Sequence, residues 1–520
     1  MKRYNAKETD MLSRRSVVTG MPFALAGLPA VLQMASSVRA AANDAITLAY
    51  PADVPNWDPL SSGSPVSVSM HRCVFDMVLN VAPDLSVGPS AVKNSRWIDD
   101  KGTALELTLR DGITFHNGDP LTSADIRFSF LERPKSDGTL MISGVFGSKV
   151  ADVETPSPTI AIFRFSSPYV AAPALLASLP AYVMPHNYFQ SIGRDAFLAQ
   201  PIGSGPYRLV DYQRDSRIVL EAYDKYWAGP APIKRVTIQI IKDTSARIAA
   251  VQSGQVDFAY NLPIREVERI GDIAGLSGSI HPINTVILIH MVNKGIYQDR
   301  NLRLAMHHAI DTQALSRAFF AGKARPLSLW ASDGPTSDPN YKFEYSPEKA
   351  KALLAKSGYS VDKPAKIAFS TFRGQFPADF DLGRAIVAMW KQVGIDADLQ
   401  VLEIAQYFQM TRSGKIENPV LYSWSNASAD PELFSGLILD PKRPYSVWKS
   451  DDISEKLDPL LVEVDSEKRL AGYRAFDAWA VEQGYACPLL QSVATAVHKK
   501  QLRYVPFANG WMLPYYWTMA

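Results

Sequence analysis

Residues 109–130 read LRDGITFHNGDPLTSADIRFSF, and one histidine and three aspartates crowd into this polar stretch. Such residues could form a metal or acid–base site, but each of them also fits a local structural role. Asp111-Gly112 and Asn117-Gly118 are turn pairs, and Thr122 or Ser123 can cap the helix that follows. The stretch therefore predicts a strand, a loop and a capped helix rather than a catalytic site.

Farther along the chain, residues 346–423 alternate helices with strands. Ser346-Pro347-Glu348 opens a helix with a capping serine, a proline and an acid, and Gly358 closes it. The next elements are strand 366–371, helix 381–394, strand 396–404, helix 405–414 and strand 418–424. This alternation predicts an α/β fold whose parallel or mixed sheet is covered on both faces. Because ligands bind beyond the carboxyl ends of strands in such sheets, function is expected at loops 372–380 and 425–434.

Outside that region, strands are predicted at residues 45–50, 104–110 and 217–224. A helix is predicted from Thr244, acting as N-cap, to a stop at Gly254. Residues 301–320 carry apolar side chains at helical spacing and predict one amphipathic helix. It contains His307-His308, and adjacent helix residues point about 100° apart, so the pair cannot easily share a metal ion. One of these histidines is expected to be partly buried and the other exposed.

The N-terminus is predicted to be an export signal. Arg14-Arg15 precedes an apolar run at residues 17–34, which two glycines and two prolines interrupt. These breaks suit a twin-arginine signal better than a membrane span. Val17 stands where that signal usually carries Phe, so the Sec route stays open. Small residues around 38–42 predict cleavage near residues 40–42, which places the mature chain in the periplasm.

The size and charge of the mature chain indicate how many subdomains it has and which partners it is not expected to bind. About 480 residues exceed what one hydrophobic core usually organises, so two or three subdomains are expected. Residues 1–40 hold six of the 54 basic and two of the 52 acidic residues, so the mature chain has a net charge of −2. That balance gives no electrostatic footprint for nucleic acid, and no nucleic-acid partner is expected.

The sequence also lacks the usual signatures of enzymes and metal sites. It has no G-x-S-x-G elbow, no H-E-x-x-H, no phosphate-binding loop and no G-x-G-x-x-G. Its two cysteines, Cys73 and Cys487, could form one disulfide between the ends of the chain or remain two separate buried thiols. We therefore predict no catalytic residue, no metal site and no cofactor.

Five segments, in order, resemble the family 5 extracellular solute-binding proteins, the peptide and nickel receptors of ABC importers. The opening stretch is similar to the family signature LR-x-G-x-x-F-x-x-G-x-P-[LF]-T-[AS]-x-D-[IV]. The other four segments are NWDPL (56–60), PIGSGPYRLVDY (201–212), VQSGQVDFA (251–259) and RLAMHHAIDTQAL (303–315). The resemblance covers essentially the whole mature chain, and the signature and PIGSGPY are its most specific parts.

The resemblance implies a bilobed type II periplasmic-binding-protein fold, of α/β class, with an additional inserted domain. The expected segments are the export signal at 1–42, domain I at 43–86, 200–290 and 489–520, domain II as the insertion at 87–199, and domain III at 291–488. The opening stretch would then lie in domain II, away from the ligand. It would identify the family without touching the solute.

The same resemblance points to a ligand site in YSWSNASADPELF (422–434). In peptide-binding members this segment reads W-x-x-D-x-x-[DE]-P, in which the Trp lines the pocket and the first Asp holds the peptide's α-ammonium. Trp424 and Asp430 match this pattern, but Ala427 stands in place of the first Asp. Asp430 or a displaced acid could hold an ammonium group instead, or the ligand could lack a free amine.

Trp424 is accordingly the leading candidate for a ligand contact, although it could also be core packing at a strand end. Arg373, on the other strand-end loop, could meet a carboxylate or phosphate. The full set of predicted ligand-binding residues is Arg373, Tyr422, Trp424, Asn426, Ser428 and Asp430.

The expected function is a monomeric periplasmic receptor that closes on a peptide or peptide-like solute and delivers it to an ABC permease. Within the same family the ligand could instead be an opine, an oligosaccharide, a glutathione-like compound or a nickel chelate. From other classes, a secreted hydrolase and a periplasmic chaperone or signalling receptor stay open.

Overall fold

The computed structural model describes residues 44–330, 336–428, 430–443 and 446–520. The predicted export signal at 1–42 lies outside these ranges. Within the described residues, no helix combines the length and the apolar character needed to cross a membrane.

Nineteen strands are found in the described residues. They are β1 (Ala45–Tyr50), β2 (Leu79–Val81), β3 (Val87–Pro89), β4 (Val92–Trp97), β5 (Ala104–Leu109), β6 (Val150–Ser157), β7 (Ile160–Phe165), β8 (Tyr207–Gln213), β9 (Arg217–Ala222), β10 (Arg235–Ile240), β11 (Phe258–Tyr260), β12 (Leu276–His290), β13 (Arg325–Pro326), β14 (Ala365–Thr371), β15 (Ile395–Val401), β16 (Val420–Ser425), β17 (Ala486–Lys499), β18 (Leu502–Arg503) and β19 (Thr518–Met519).

Sixteen α-helices accompany them in the same residues. They are α1 (Pro65–Val74), α2 (Ser123–Arg127), α3 (Arg133–Ser136), α4 (Ala172–Ser178), α5 (His186–Ile192), α6 (Arg194–Ala199), α7 (Thr244–Gln252), α8 (Ile264–Gly271), α9 (Arg300–His308), α10 (Thr312–Phe320), α11 (Pro347–Lys356), α12 (Asp379–Lys391), α13 (Ile404–Arg412), α14 (Ser435–Leu439), α15 (Asp451–Val462) and α16 (Ser466–Glu482).

One mixed sheet of eleven strands organises the molecule. Its order is β15-β14-β16-β12-β17-β11-β1-β10-β9-β8, with β13 paired to β17. The two longest strands, β12 and β17, pair antiparallel and occupy the middle of this order. At one end of this pair β12 also pairs antiparallel with β16, and at the other end β17 also pairs antiparallel with β11. These two strands therefore connect the two ends of the sheet.

Two large hydrophobic clusters lie along the sheet. The first gathers buried residues from Ile46 to Ile240, with Phe258 and residues near the C-terminus, and the second runs from Val286 to Val493. The four-stranded antiparallel sheet β4-β5-β7-β6 belongs to the first cluster. Two separate clusters are the arrangement expected of a bilobed chain, while the division of the chain into six segments stays a prediction.

The predicted elements of residues 346–423 are confirmed to within a few residues. Ser346 caps α11 by accepting a hydrogen bond from the Lys349 amide, and Gly358 follows the helix with a φ of +81°. The opening stretch also folds as predicted, because Thr122 and Asp125 form a capping box at the start of α2. Every one of these signals is local in sequence, so the sequence alone was sufficient to predict them.

Two local predictions were wrong. Residues 301–320 form two helices rather than one, because Asp311 caps a new helix by accepting a hydrogen bond from the Ala314 amide. The cap of α7 is Asp243 rather than Thr244, since the Asp243 carboxylate accepts from the Ala246 amide. In both places an aspartate ahead of the helix competes successfully for the capping position.

The histidine pair and the cysteines are also placed by the structure. His307 and His308 are both buried and stack on Phe343, so the expectation that one is exposed was wrong. Cys73 and Cys487 are both buried free thiols in different hydrophobic clusters. The alternative of two separate thiols is therefore the one that the structure supports.

Candidate functional site

A cleft of about 490 Å³ lies where β12 departs from regular pairing with β17. The pairing register shifts between Pro282 and Val286, since proline has no amide hydrogen to donate to the ladder. The walls of the cleft come from widely separated parts of the chain. The lining residues are Asp84, Leu85, Ser86, Val87, Ala174, Pro282, Asn284, Ser428, Asp430, Pro431, Ser466, Arg469, Leu470, Gln491 and Ala508.

A reciprocal pair of hydrogen bonds holds the loop after β16 against this irregular part of β12. The Asn426 amide donates to the Asn284 carbonyl oxygen at 2.9 Å, and Asn284 Nδ2 donates to the Asn426 carbonyl oxygen at 3.0 Å. Asn426 Oδ1 then accepts from the Ser428 amide at 3.0 Å, and its Nδ2 donates to the Asp430 carbonyl oxygen at 2.6 Å. Asn426 thus shapes the loop, and Ser428 and Asp430 present the loop's surface to the cleft.

A charged pair forms one wall of the cleft. Arg469, on α16, donates one hydrogen bond to each carboxylate oxygen of Asp430, both at 2.8 Å. The two side chains are only 8% and 14% exposed, so water screens the pair weakly. Burial alone would lower the pKa of Arg469, but its hydrogen bonds and charge contact with Asp430 outweigh that effect and raise it. The pair is therefore a fixed, internally neutralised part of the wall.

Behind this pair lies a further buried carboxylate. Glu432 contacts Arg443 at 3.2 Å and Arg469 at 3.4 Å. Burial and the nearby charge of Asp430 raise the pKa of Glu432 to about 7, although both arginines act in the opposite direction. Asp440 completes the group by contacting Arg443 at 3.2 Å. The guanidinium groups beside the cleft are consequently committed to carboxylates.

The remaining predicted site residues lie elsewhere. Trp424 donates from Nε1 to the Leu433 carbonyl oxygen at 2.7 Å, and its ring packs against the second hydrophobic cluster. Tyr422 stacks on Tyr407 with ring centroids 5.0 Å apart. Neither Trp424 nor Tyr422 lines the cleft, but Trp424 supports the far side of the loop that does.

Arg373 is also outside the lining. Its guanidinium lies over the Phe380 ring, 3.9 Å from the centroid, on an exposed loop. Of the six predicted residues, the structure places Ser428 and Asp430 in the cleft wall and Asn426 directly behind it. The assignment of all six to ligand binding stays a prediction.

Several cleft residues were missed by the sequence reasoning. Asn284, Arg469 and Gln491 come from segments that carry no motif, and only the tertiary fold brings them together. Pro282 was the available signal, because a proline inside a long apolar strand marks a bulge or an edge. Across the part of the chain that the structure describes, no group of three or more histidine, cysteine, aspartate or glutamate residues is arranged to hold a metal ion.

Comparison with known proteins assigns a family and a fold. The family model described as "Bacterial extracellular solute-binding proteins, family 5 Middle" matches residues 86–446. The nickel-binding periplasmic protein of Escherichia coli K12 is 25% identical over 91% of this chain and 93% of its own length. The dipeptide-binding protein of the same organism is 24% identical over 78% of this chain and 82% of its own length.

Two solved structures share the fold. HbpA2 from Haemophilus parasuis superposes with a TM-score of 0.80 at 20% identity, covering 92% of this chain and all of that one. The DppA protein of Helicobacter pylori, solved with the peptide STSA, gives a TM-score of 0.75 at 20% identity, covering 93% of this chain and 99% of that one. The two Escherichia coli relatives are binding proteins, and the shared fold is that of type II periplasmic binding proteins, as predicted.

Proposed function

Because this chain belongs to the bacterial extracellular solute-binding proteins of family 5, we propose that it binds a peptide or peptide-like solute in the cleft described above. It would act as a monomer and deliver that solute to the permease of an ABC importer. Export would use residues 1–42 as a signal of the twin-arginine type, with cleavage near residues 40–42, and the mature protein would work in the periplasm.

The observation that carries this proposal is the position of the cleft at the irregularity of β12 and β17. These two strands join the halves of the sheet, so rotation about the break at Pro282 would open and close the cleft. Asp84 and Ser86 line the cleft from the segment between β2 and β3, while Ser428 and Arg469 line it from segments that follow β12. A solute that touches both groups would stabilise the closed form.

The size and polarity of the cleft support a small peptide-like ligand. A volume of about 490 Å³ lies within the range of small-molecule pockets. Its lining combines amide and hydroxyl side chains with small apolar groups, and such neutral groups can hydrogen-bond to peptide bonds. The dipeptide-binding relative supports the same class of ligand.

The test is native mass spectrometry on mature protein purified from periplasm, followed by fragmentation of any bound mass. Leu470→Trp, which fills the cleft from α16, should lose the bound mass. Lys468→Trp on the same helix serves as the matched control, since Lys468 is exposed and does not line the cleft. A mass retained by Leu470→Trp would contradict this location, and a nickel chelate or an oligosaccharide would contradict the ligand class.

A further inference from the structure

We propose that the solute presents amide groups, and no free ammonium group, to the closed cleft, as a peptide with an acylated or cyclised amino terminus would. This proposal rests on the proposed function and narrows its ligand class. It follows from the state of the charged groups in the cleft wall.

Three charged side chains line the cleft among the described residues, namely Asp84, Asp430 and Arg469. Asp430 gives both carboxylate oxygens to Arg469, and its Oδ1 also accepts from the Glu432 amide at 2.9 Å. An incoming ammonium group would have to compete with a bidentate guanidinium, which is among the stronger charge-assisted contacts. Asp430 is therefore not available as a counter-ion for a buried amine.

Asp84 cannot take that role effectively either. Its Oδ1 accepts from the amide and the hydroxyl of Ser86, at 3.0 and 2.7 Å, and the side chain is exposed to water. Exposed ion pairs contribute little because water screens them, whereas burying an ammonium group without a partner is strongly unfavourable. The free energy needed to desolvate an ammonium group in the cleft would thus exceed the free energy gained from its ion pair with Asp84.

The other lining groups favour neutral hydrogen-bonding ligands. Asn284 and Gln491 line the cleft with side-chain amides, and Ser428, a residue that is 5% exposed, lines it with a hydroxyl. No aromatic ring occurs among the described residues that line the cleft, so sugar rings would find no flat face for stacking. Peptide bonds match both the polar and the small apolar parts of this wall.

The test is a competition between two pools of random tripeptides that differ only in N-acetylation. The mature protein is freed of resident solute by reversible unfolding, exposed to both pools together, and the captured masses are counted. We expect the acetylated pool to be enriched at least tenfold at pH 6, and the enrichment should shrink toward pH 9 because the free α-amine then loses its proton and its charge. Equal capture at pH 6, or enrichment of the free-amine pool that fades as the α-amine deprotonates above pH 8, would overturn the proposal.

A second variant makes the test specific for the charged pair. In Arg469→Met the Asp430 carboxylate loses its partner, so the capture ratio should move at least tenfold toward free-amine peptides. If folded Arg469→Met captures the two pools in the same ratio as wild type, Arg469 is not what keeps Asp430 from binding an ammonium group. If this variant does not fold, the capture ratio of the wild type alone decides whether the proposal stands. If wild type captures neither pool, the amide-ligand proposal is overturned. The cleft would still be supported as the solute site if wild type carries a resident solute that Leu470→Trp lacks.

Discussion

The pair Asp430–Arg469 yields a prediction whose magnitude follows from its burial. Arg469→Met keeps a long apolar side chain but removes the partner of Asp430 and one of the two partners of Glu432. Breaking a buried ion pair by deleting one member typically costs about 3–5 kcal/mol, because the other charge stays buried and unpaired. We expect a loss of that size in the free energy of unfolding at pH 7.5.

The assay is urea unfolding followed by tryptophan fluorescence and circular dichroism. Lys442→Met is the matched control, because Lys442 and Asp458 form a 2.6 Å pair whose side chains are 61% and 44% exposed. That variant should lose less than about 1 kcal/mol. In Arg469→Met the loss should shrink as the pH falls, because removing Arg469 raises the pKa of the buried Glu432 further and protonation then removes its charge.

A double variant separates the pair from its surroundings. Asp430→Asn combined with Arg469→Met removes both charges and should recover a large part of the lost stability, because no unpaired charge of the pair remains. If Arg469→Met lost no more stability than Lys442→Met, the Asp430–Arg469 pair would behave as a solvent-screened surface contact, and the expected loss would be contradicted.

Three further outcomes are expected. Trp424→Ala should lower the free energy of unfolding by about 2–4 kcal/mol. It should also weaken solute binding, because the lost hydrogen bond to the Leu433 carbonyl loosens the cleft loop. An unchanged solute affinity in titration calorimetry would contradict this. Burial raises the pKa of Asp477 from 3.8 to about 7, so the stability that this group contributes is lost as the pH rises from about 4 to about 7. Asp477→Asn should be more stable than wild type by about 4 kcal/mol at pH 8 and equal to it near pH 4, and a pH-independent difference in the free energy of unfolding would contradict this. Cys73 and Cys487 should not react with a thiol reagent in the folded protein, because burial raises the pKa of both, and two thiols should appear on unfolding; fewer than two would indicate a disulfide.

The sequence predicts the α/β part of the fold well because its signals are local. The helix opened by Ser346 and the strand at 366–371 depend on caps and alternation within a few residues. The split at Asp311 was missed because apolar spacing continues across it, and the aspartate's capping role was not weighed against that spacing. Local periodicity alone therefore overestimates helix length where a second cap is available.

The candidate site was less predictable, for a physical reason. The loop that carries Ser428 and Asp430 could be located from its place after a strand, as sheets of this type dictate. The charge state of the loop could not be predicted from the sequence, because Arg469, which neutralises Asp430, lies 39 residues farther along the chain. Similarly, Asn284 meets Asn426 across 142 residues. Pairings of that separation depend on the packing of whole elements rather than on any local pattern.

The most direct test of the proposed solute site is a crystal structure of the mature protein with its resident solute bound. We expect density for one small molecule in the cleft, within hydrogen-bonding distance of Asn284 and Ser428 and flanked by the intact Asp430–Arg469 pair. Density for the solute anywhere else would contradict it. An ammonium group of the solute bound to Asp430 in place of Arg469 would overturn the proposed ligand class and leave the cleft as the binding site.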